Sequence, residues 1–319
     1  MAAAAVLLIV TGHGDDHLPP VCAELDRRGE HYSVIDPTAV EDRGHRTFGF
    51  EGESVTAFLS TGDQTVDLSA VSAVWLRSRH RDRRVAESAA TQISRALGIL
   101  ARRGVRLVPG DVDSITRAGD KVLQLDAALA RGLSVPRTVI SDDPEAVLGL
   151  AETGIPLVSK ELTPDPALAS GRSQFTRYTR EIDSNDLIHI DDLARAPMIV
   201  QERLDKVVEL RLTVIGERVF AAAMETSSVN HSALDFRRYD LSNTTVIPWD
   251  LDAAIADRCV ELVRIFGLMY ATIDLVVTPS GDTYFLDLNP NGQYGWIESM
   301  TGMRMTEALV DLLTAEGGS

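Results

Sequence analysis

Apolar residues along the chain switch between two periods. Short runs bounded by turn residues (Ala5–Val10, then HYSVI, AVSAVWL and RLVP) read as strands, the first of them buried. Between them, Leu18–Arg28 and Arg84–Arg103 read as helices, the second carrying Leu97, Leu100 and Ala101 toward one face. With a β-rich stretch from Thr47 to Val66, this predicts an α/β domain over residues 1–112. A middle segment, 113–197, opens with Asp113-Ser114 as the cap of one helix that carries Lys121, Leu125 and Leu129 and ends at Gly132. Strands RTVI and PLVSK then bracket a short helix. From Met198 the pattern turns to longer β-runs (MIVQERL, VVELRLTVI, RVFAAAMET), a helix over Leu251–Phe266 and a final hairpin, which together form a third unit, 198–319.

That hairpin contains an anomaly. Tyr270–Val277 and Thr283–Leu288 are strand-like, yet each holds an aspartate. If Ser280 and Gly281 are the centre of a two-residue turn, Asp274 faces Asp287, and Asn289 shares their face because strand side chains alternate. Like charges directly opposite each other repel, and a buried lone carboxylate is costly, so a cation is the simplest resolution. Hard oxygen donors suit Mg²⁺. A register shifted by one residue would instead send the two acids to opposite faces or into solvent.

Composition narrows the function. At 319 residues the chain accommodates two or three modest domains, and a formal charge of −16 argues against general nucleic-acid binding, which needs clustered Lys and Arg. Cys22 and Cys259 are far apart in predicted helices without zinc-ligand spacing, as expected of small buried thiols in a reducing compartment. MAAAAVLLIV lacks the basic flank of a signal peptide, and no apolar run is long enough to span a membrane, so the expected location is the cytoplasm.

Several motifs are ambiguous one at a time. Gly12-x-Gly14 with Asp36 is an incomplete dinucleotide fingerprint, since His17 stands where the third glycine belongs. His13 and His17, with no third ligand in view, read as surface or loop residues. Lys160 ends an apolar strand and Lys121 lies beside apolar neighbours; each is either a solvated amine or an ammonium aimed at phosphate. Glu209 and Arg211 share one strand face, as an ion pair on a solvated surface or as part of a site. Arg237 follows a polar loop. RSRHRDRR, residues 77–84, sets five arginines against one aspartate, either a solvated loop or a patch that gathers an acidic substrate.

Order makes these fragments informative. DKVLQLDAALARGLSVPRTVIS, PLVSK, VQERL, Glu209-x-Arg211, DFRRYD, IDLVV and LDLNPNGQYGW follow one another in a succession that resembles ATP-grasp ligases, and in particular the microviridin-type peptide maturases that make graspetides. The resemblance implies an ATP-grasp fold combining α/β and α+β parts: an N-terminal α/β domain, with ATP held between a central and a C-terminal lobe. It implies that Lys121 and Lys160 contact ATP phosphates, that Gln201 and the Glu202–Leu204 linker take the adenine, and that Glu209 holds the ribose. Arg211 and Arg237 would neutralise the transferring phosphoryl group, while Asp274, Asp287 and Asn289 would hold Mg²⁺. The implied substrate is a ribosomally made precursor peptide, leader plus acidic core, whose Asp or Glu side chains are joined to Thr or Ser hydroxyls or Lys amines, and the implied assembly is a homodimer. Arg77, Arg79 and Arg81 are expected, on charge, to meet the acidic core. Where a glycine-rich phosphate lid is usual, residues 161–179 contain only Gly171, and LVPGD at 107–111 lacks the family's asparagine. Competing expectations are a ligase for free amino acids or protein glutamylation, and a nucleotide-binding regulator that kept the fold.

Overall fold

The computed structural model describes residues 6–12, 14–42, 44–52, 54–77, 87–161, 179–189, 197–226 and 244–315. Strands β1 (Val6–Val10), β2 (Tyr32–Ile35), β6 (Val71–Leu76) and β7 (Arg106–Val108) form a parallel sheet in the order β2-β1-β6-β7. Alternation sorts its side chains. Leu8, Val10, Val74, Leu76 and Leu107 pack with Ile93, Leu97 and Leu100 of helix α3 (Glu87–Arg102), while Leu7, Ile9, Ala73 and Trp75 face the opposite way. Both faces are therefore core, which is why these strands read as continuous apolar runs. The predicted β-rich stretch is a small antiparallel sheet of β3 (Arg46–Glu51), β4 (Ser54–Ser60) and β5 (Thr65–Asp67).

A second sheet, order β10-β9-β11-β8, unites β8 (Thr138–Ser141), β9 (Leu157–Glu161), β10 (Arg180–Ile182) and β11 (Met198–Glu202). Leu157 and Val200 point to helix α6 (Pro144–Ala151), where Val147 is fully buried. Residues one position along, Lys160, Gln201 and Thr138, share the other face.

The third sheet is antiparallel, order β14-β13-β12-β15-β16, from β12 (Val208–Ile215), β13 (Arg218–Thr226), β14 (Thr244–Pro248), β15 (Tyr270–Val277) and β16 (Thr283–Asn289). One face carries Leu210, Leu212, Val214, Ile273, Leu275 and Phe285 under helix α8 (Ala253–Ile265), whose Cys259, Leu262 and Val263 are buried. On the other face Ile215, Ala222, Met224 and Tyr270 join Leu7, Ile9 and Trp75 and two C-terminal helices, α9 (Gly295–Thr301) and α10 (Met305–Thr314). The N-terminal sheet and the C-terminal lobe thus share one core, reinforced by Arg28 of helix α1 (Leu18–Arg28), 2.7 Å from Asp311. Among the described residues no helix is long and apolar enough to cross a membrane.

Three sequence expectations are corrected. The single helix carrying Lys121 is two: α4 (Val112–Gly119), capped by Asp111 rather than Asp113-Ser114, and α5 (Lys121–Ala130), whose N-cap Asp120 accepts from the N–H groups of Val122 and Leu123. Asp120 has an extended backbone, as an N-cap does, so the break falls one residue before Lys121 and places that lysine at the start of a helix instead of its middle. The hairpin turn is also different. Next to the turn the pairs are Val277 with Thr283, Val276 with Tyr284 and Leu275 with Phe285, so the loop centres on Ser280, with Gly281 at φ 88°. A β-bulge then inserts Leu286, and only beyond it does Asp274 face Asp287 and Thr272 face Asn289. The predicted pairing is present because the different turn and the bulge offset one another. Finally, His17 is no surface residue but 2% exposed, and Arg77, 4% exposed, lies inside the molecule and not on an open arginine patch. Helices 253–265 and 87–102 lie within the expected spans, with residues 84–86 of the second outside the described residues.

Candidate active site

The hairpin and its neighbour β12 assemble a charged face. In the antiparallel register Arg211 lies opposite Asp274, and Nη1 of Arg211 reaches Oδ1 of Asp274 at 2.5 Å. Arg211 is 5% exposed, so this is a cross-strand pair in a partly dehydrated setting and not a solvated surface contact. Burial pushes the Asp274 carboxyl above the ordinary carboxylate range; Arg211 pulls it down, and the neighbouring Asp287 and Glu209 push it up again. Asp287 in turn is paired with Lys121 Nζ, while Asn289 is exposed at the end of β16.

Helix α5 is tied to that strand by Gln124, one turn on from Lys121. Its amide accepts from Leu288 N–H at 3.1 Å and donates to the Leu288 carbonyl at 2.8 Å, replacing the partner strand that an edge would otherwise lack. Residues three apart share a helix face, so fixing Gln124 against Leu288 delivers Lys121 to Asp287. On the chain leading to β8, Ser134 extends the same protection, its carbonyl accepting from Phe285 N–H at 2.7 Å. Gln124, 1% exposed, is the residue that sequence reasoning missed; a glutamine three positions after a candidate phosphate lysine was the available signal.

On the central sheet, Lys160 Nζ donates to Gln201 Oε1 at 2.8 Å, and Gln201 Nε2 donates to Thr138 Oγ1 at 2.9 Å. In the linker after β11, Glu202 N–H is bound to the Arg137 carbonyl and Arg203 N–H to that of Pro156. Leu204 lies in the irregular stretch from Arg203 that leads to Lys206, whose ammonium pairs with Glu209. Lys121, Arg211, Asp274, Asp287 and Asn289 are therefore gathered on or beside the C-terminal sheet, and Lys160 and Gln201 on the central sheet. Arg77 is not among them, and Arg79, Arg81, Arg237, His13 and Gly171 lie outside the described residues.

The donor set fits a hard divalent cation that keeps part of its shell for water and phosphate: two carboxylates on adjacent strands and one amide, with burial disfavouring the charged form of Asp274 in the absence of a further cation. Among the described residues no group of three or more His, Cys, Asp and Glu side chains is placed to hold a metal.

No protein-family model matches the sequence. A "Probable alpha-L-glutamate ligase" of Xanthomonas oryzae pv. oryzae is 28% identical over 215 residues, 64% of this chain and 68% of that protein. Among solved structures, the Microcystis aeruginosa macrocyclase MdnC, bound with the precursor peptide MdnA, is 28% identical, covers 98% of this chain and 100% of its own, and superposes with a TM-score of 0.78. A Chryseobacterium gregarium RiPP-associated ATP-grasp ligase, in complex with ADP and a leader and core peptide, gives 0.83 at 23% identity over 97% and 96% of the two chains. The D-alanine–D-alanine ligase of Bacillus anthracis shares the fold more loosely, at TM-score 0.60 and 12% identity. With the sheet order, the paired aspartates and the paired lysines in place, this chain has the ATP-grasp fold and is similar over nearly its whole length to the peptide macrocyclases that share it.

Proposed function

We propose that this ligase uses ATP to activate Asp or Glu side chains of a ribosomally made precursor peptide and joins them to Thr or Ser hydroxyls, or to Lys amines, closing macrocycles. The observation that carries the proposal is the charged face of the C-terminal sheet, Arg211–Asp274 beside Asp287–Lys121, in a chain that matches a precursor-bound macrocyclase over nearly its full length. A carboxylate is a poor acyl donor, because its leaving group would be oxide. In the proposed reaction its oxygen attacks the γ-phosphorus of ATP, the bond to ADP breaks, and an acyl phosphate forms. A substrate hydroxyl or amine then attacks the acyl carbon, loses its proton, and releases phosphate.

The residues divide these tasks. Arg211, fixed by Asp274, presents a permanent positive charge to the moving phosphoryl group, and Arg237 is proposed to do so from outside the described residues. Lys121 and Lys160 reach phosphate oxygens, Glu209 takes the ribose, and Gln201 lines the nucleotide face beside Lys160. With the Glu202 and Arg203 N–H groups used internally, Leu204 N–H and the linker carbonyls are left to read the adenine edge. Asp274, Asp287 and Asn289 would hold Mg²⁺, which supplies charge neutralisation on the phosphates when bound. Electrostatic attraction of an acidic core falls to Arg79 and Arg81, since Arg77 is buried. Location in the cytoplasm and a homodimer complete the proposal.

Co-expression with a candidate acidic precursor peptide rich in Thr and Glu or Asp, followed by mass spectrometry, tests it: the peptide should lose one water mass per ring. An unmodified peptide, with ADP release stimulated instead by free glutamate, would favour the second reading, an amino-acid or protein glutamate ligase, which the 28% identity to the Xanthomonas protein supports.

A further inference from the structure

A buried polar cluster lies between the N-terminal sheet and the loop that follows Asn289, and none of the steps above uses it. We propose that Asp15, His17 and Arg77 form a positioning clamp that orients Asn289 and so sets the divalent-metal affinity of the site, an inference that rests on reading Asn289 as a metal ligand. The side chains of all three are about as buried as core leucines, each 3% exposed. Arg77 continues β6 and donates its N–H to the Val10 carbonyl; its Nε lies 3.2 Å from Asp15 Oδ2, an oxygen that also accepts from Thr11 Oγ1. Asp15 Oδ1 is 2.9 Å from His17 Nδ1 and accepts from the His17 backbone N–H.

The outward ends of the cluster are aimed at one loop. His17 Nε2 accepts from the N–H groups of both Tyr294 and Gly295, at 3.1 Å each. A nitrogen that receives two N–H donors carries its lone pair, which puts the ring proton on Nδ1 toward Asp15, although Arg77 Nη2 also lies 2.9 Å from Nδ1. Arg77 Nη1 donates to the carbonyls of Asn291 and Gly292, at 3.2 Å each, and Tyr270 Oη donates to the same Gly292 carbonyl. Asn291 N–H, in turn, donates to Asn289 Oδ1 at 2.9 Å, and Gly292 N–H to the Asn289 carbonyl. The loop is pressed onto β15 so closely that a Cβ on Gly292 would lie 1.7 Å from Thr272 Oγ1. A continuous path of hydrogen bonds therefore runs from Asp15 through Arg77 and the Asn291 backbone to the Asn289 amide. Apolar side chains would have filled this junction without the cost of burying charges. Spending three polar groups on one loop makes sense if the orientation of what the loop carries matters, and outer-shell partners of metal ligands have that effect.

The test measures Mn²⁺ binding to the ADP-loaded protein by electron paramagnetic resonance, together with ADP affinity without metal. His17→Leu is expected to weaken Mn²⁺ binding about tenfold, the scale seen for outer-shell groups, while leaving metal-free ADP binding unchanged; His17→Gln, which restores an acceptor, should recover most of the loss. Asn289→Ala should weaken Mn²⁺ at least as much, and adding His17→Leu to it should cost little more, because both act through one group. If Asn289→Ala weakens Mn²⁺ but His17→Leu does not, or if the two effects simply add, the clamp is overturned while the site assignment stands. If Asn289→Ala has no effect, the site assignment itself fails and the clamp with it. Should His17→Leu prove insoluble, Tyr270→Phe removes only the bond to Gly292 and is expected to weaken Mn²⁺ in the same direction; an unchanged affinity there also overturns the clamp.

Discussion

Two arginine–aspartate pairs among the described residues, Arg77–Asp15 and Arg211–Asp274, are largely withdrawn from solvent, and they behave in opposite ways. Burial raises both carboxyl groups. For Asp15 the His17 hydrogen bond and the Arg77 charge more than offset it, leaving the group well below the ordinary carboxylate range. For Asp274 burial outweighs the charge and hydrogen bond of Arg211, and Asp287 and Glu209 push the group up further. The first pair is complete within the protein: Thr11, His17 and two backbone carbonyls satisfy it. The second has two further carboxylates beside it, Asp287 and Glu209, whose own cations, Lys121 and Lys206, come from other elements of the chain. Identical residue types thus signal structure or function according to the charge balance around them.

That contrast is open to direct attack. The largest effect is expected from Arg77→Leu, which leaves Asp15 buried without its cation and should cost about 3–5 kcal/mol of stability, measured by denaturant unfolding. A loss under about 1 kcal/mol would show the pair to be effectively solvated. Arg211→Met should instead slow ligation about 100- to 1,000-fold with the fold retained, as followed by ADP release and circular dichroism; an active variant would remove Arg211 from the phosphoryl site. Acid titration separates the carboxylates. Because the folded pKa of Asp15 is depressed, its stabilising contribution is fully present above about pH 4, the range of an unfolded aspartate, and is lost as pH falls below that. Asp15→Asn should therefore be less stable than wild type at neutral pH and converge with it in acid. Asp274 has a raised folded pKa, so its ionised form opposes folding above that pKa and the opposition is relieved as pH falls. The smallest effect is then on the stability of Asp274→Asn, expected within about 1 kcal/mol of wild type or above it, in a protein that no longer ligates. A marked loss of stability in that variant would erase the distinction between the two pairs.

Much of this was legible beforehand, for identifiable reasons. Strands buried on both faces, such as Val6–Val10 and Val71–Leu76, announce themselves as apolar runs, and aspartates inside Tyr270–Val277 and Thr283–Asn289 contradict that pattern loudly enough to mark a site. The helix break at Asp120 was written in the sequence as a capping residue but lay inside an unbroken helical pattern, so it passed unnoticed. His17, Arg77 and Gln124 were misread or missed because their partners, Tyr294, Asn291 and Leu288, lie more than 160 positions away.

The sequence by itself determined the alternation of elements, the order of the charged motifs and the face shared by Glu209 and Arg211, since each depends only on local spacing along a helix or strand. Only the tertiary structure decided that Asp274 meets Asp287 by way of a bulge, that Lys121 reaches Asp287 because Gln124 docks α5 on β16, and which arginine is sealed in the interior. Those outcomes hang on contacts between distant segments, and the burial and charge balance they create do not exist until the segments meet.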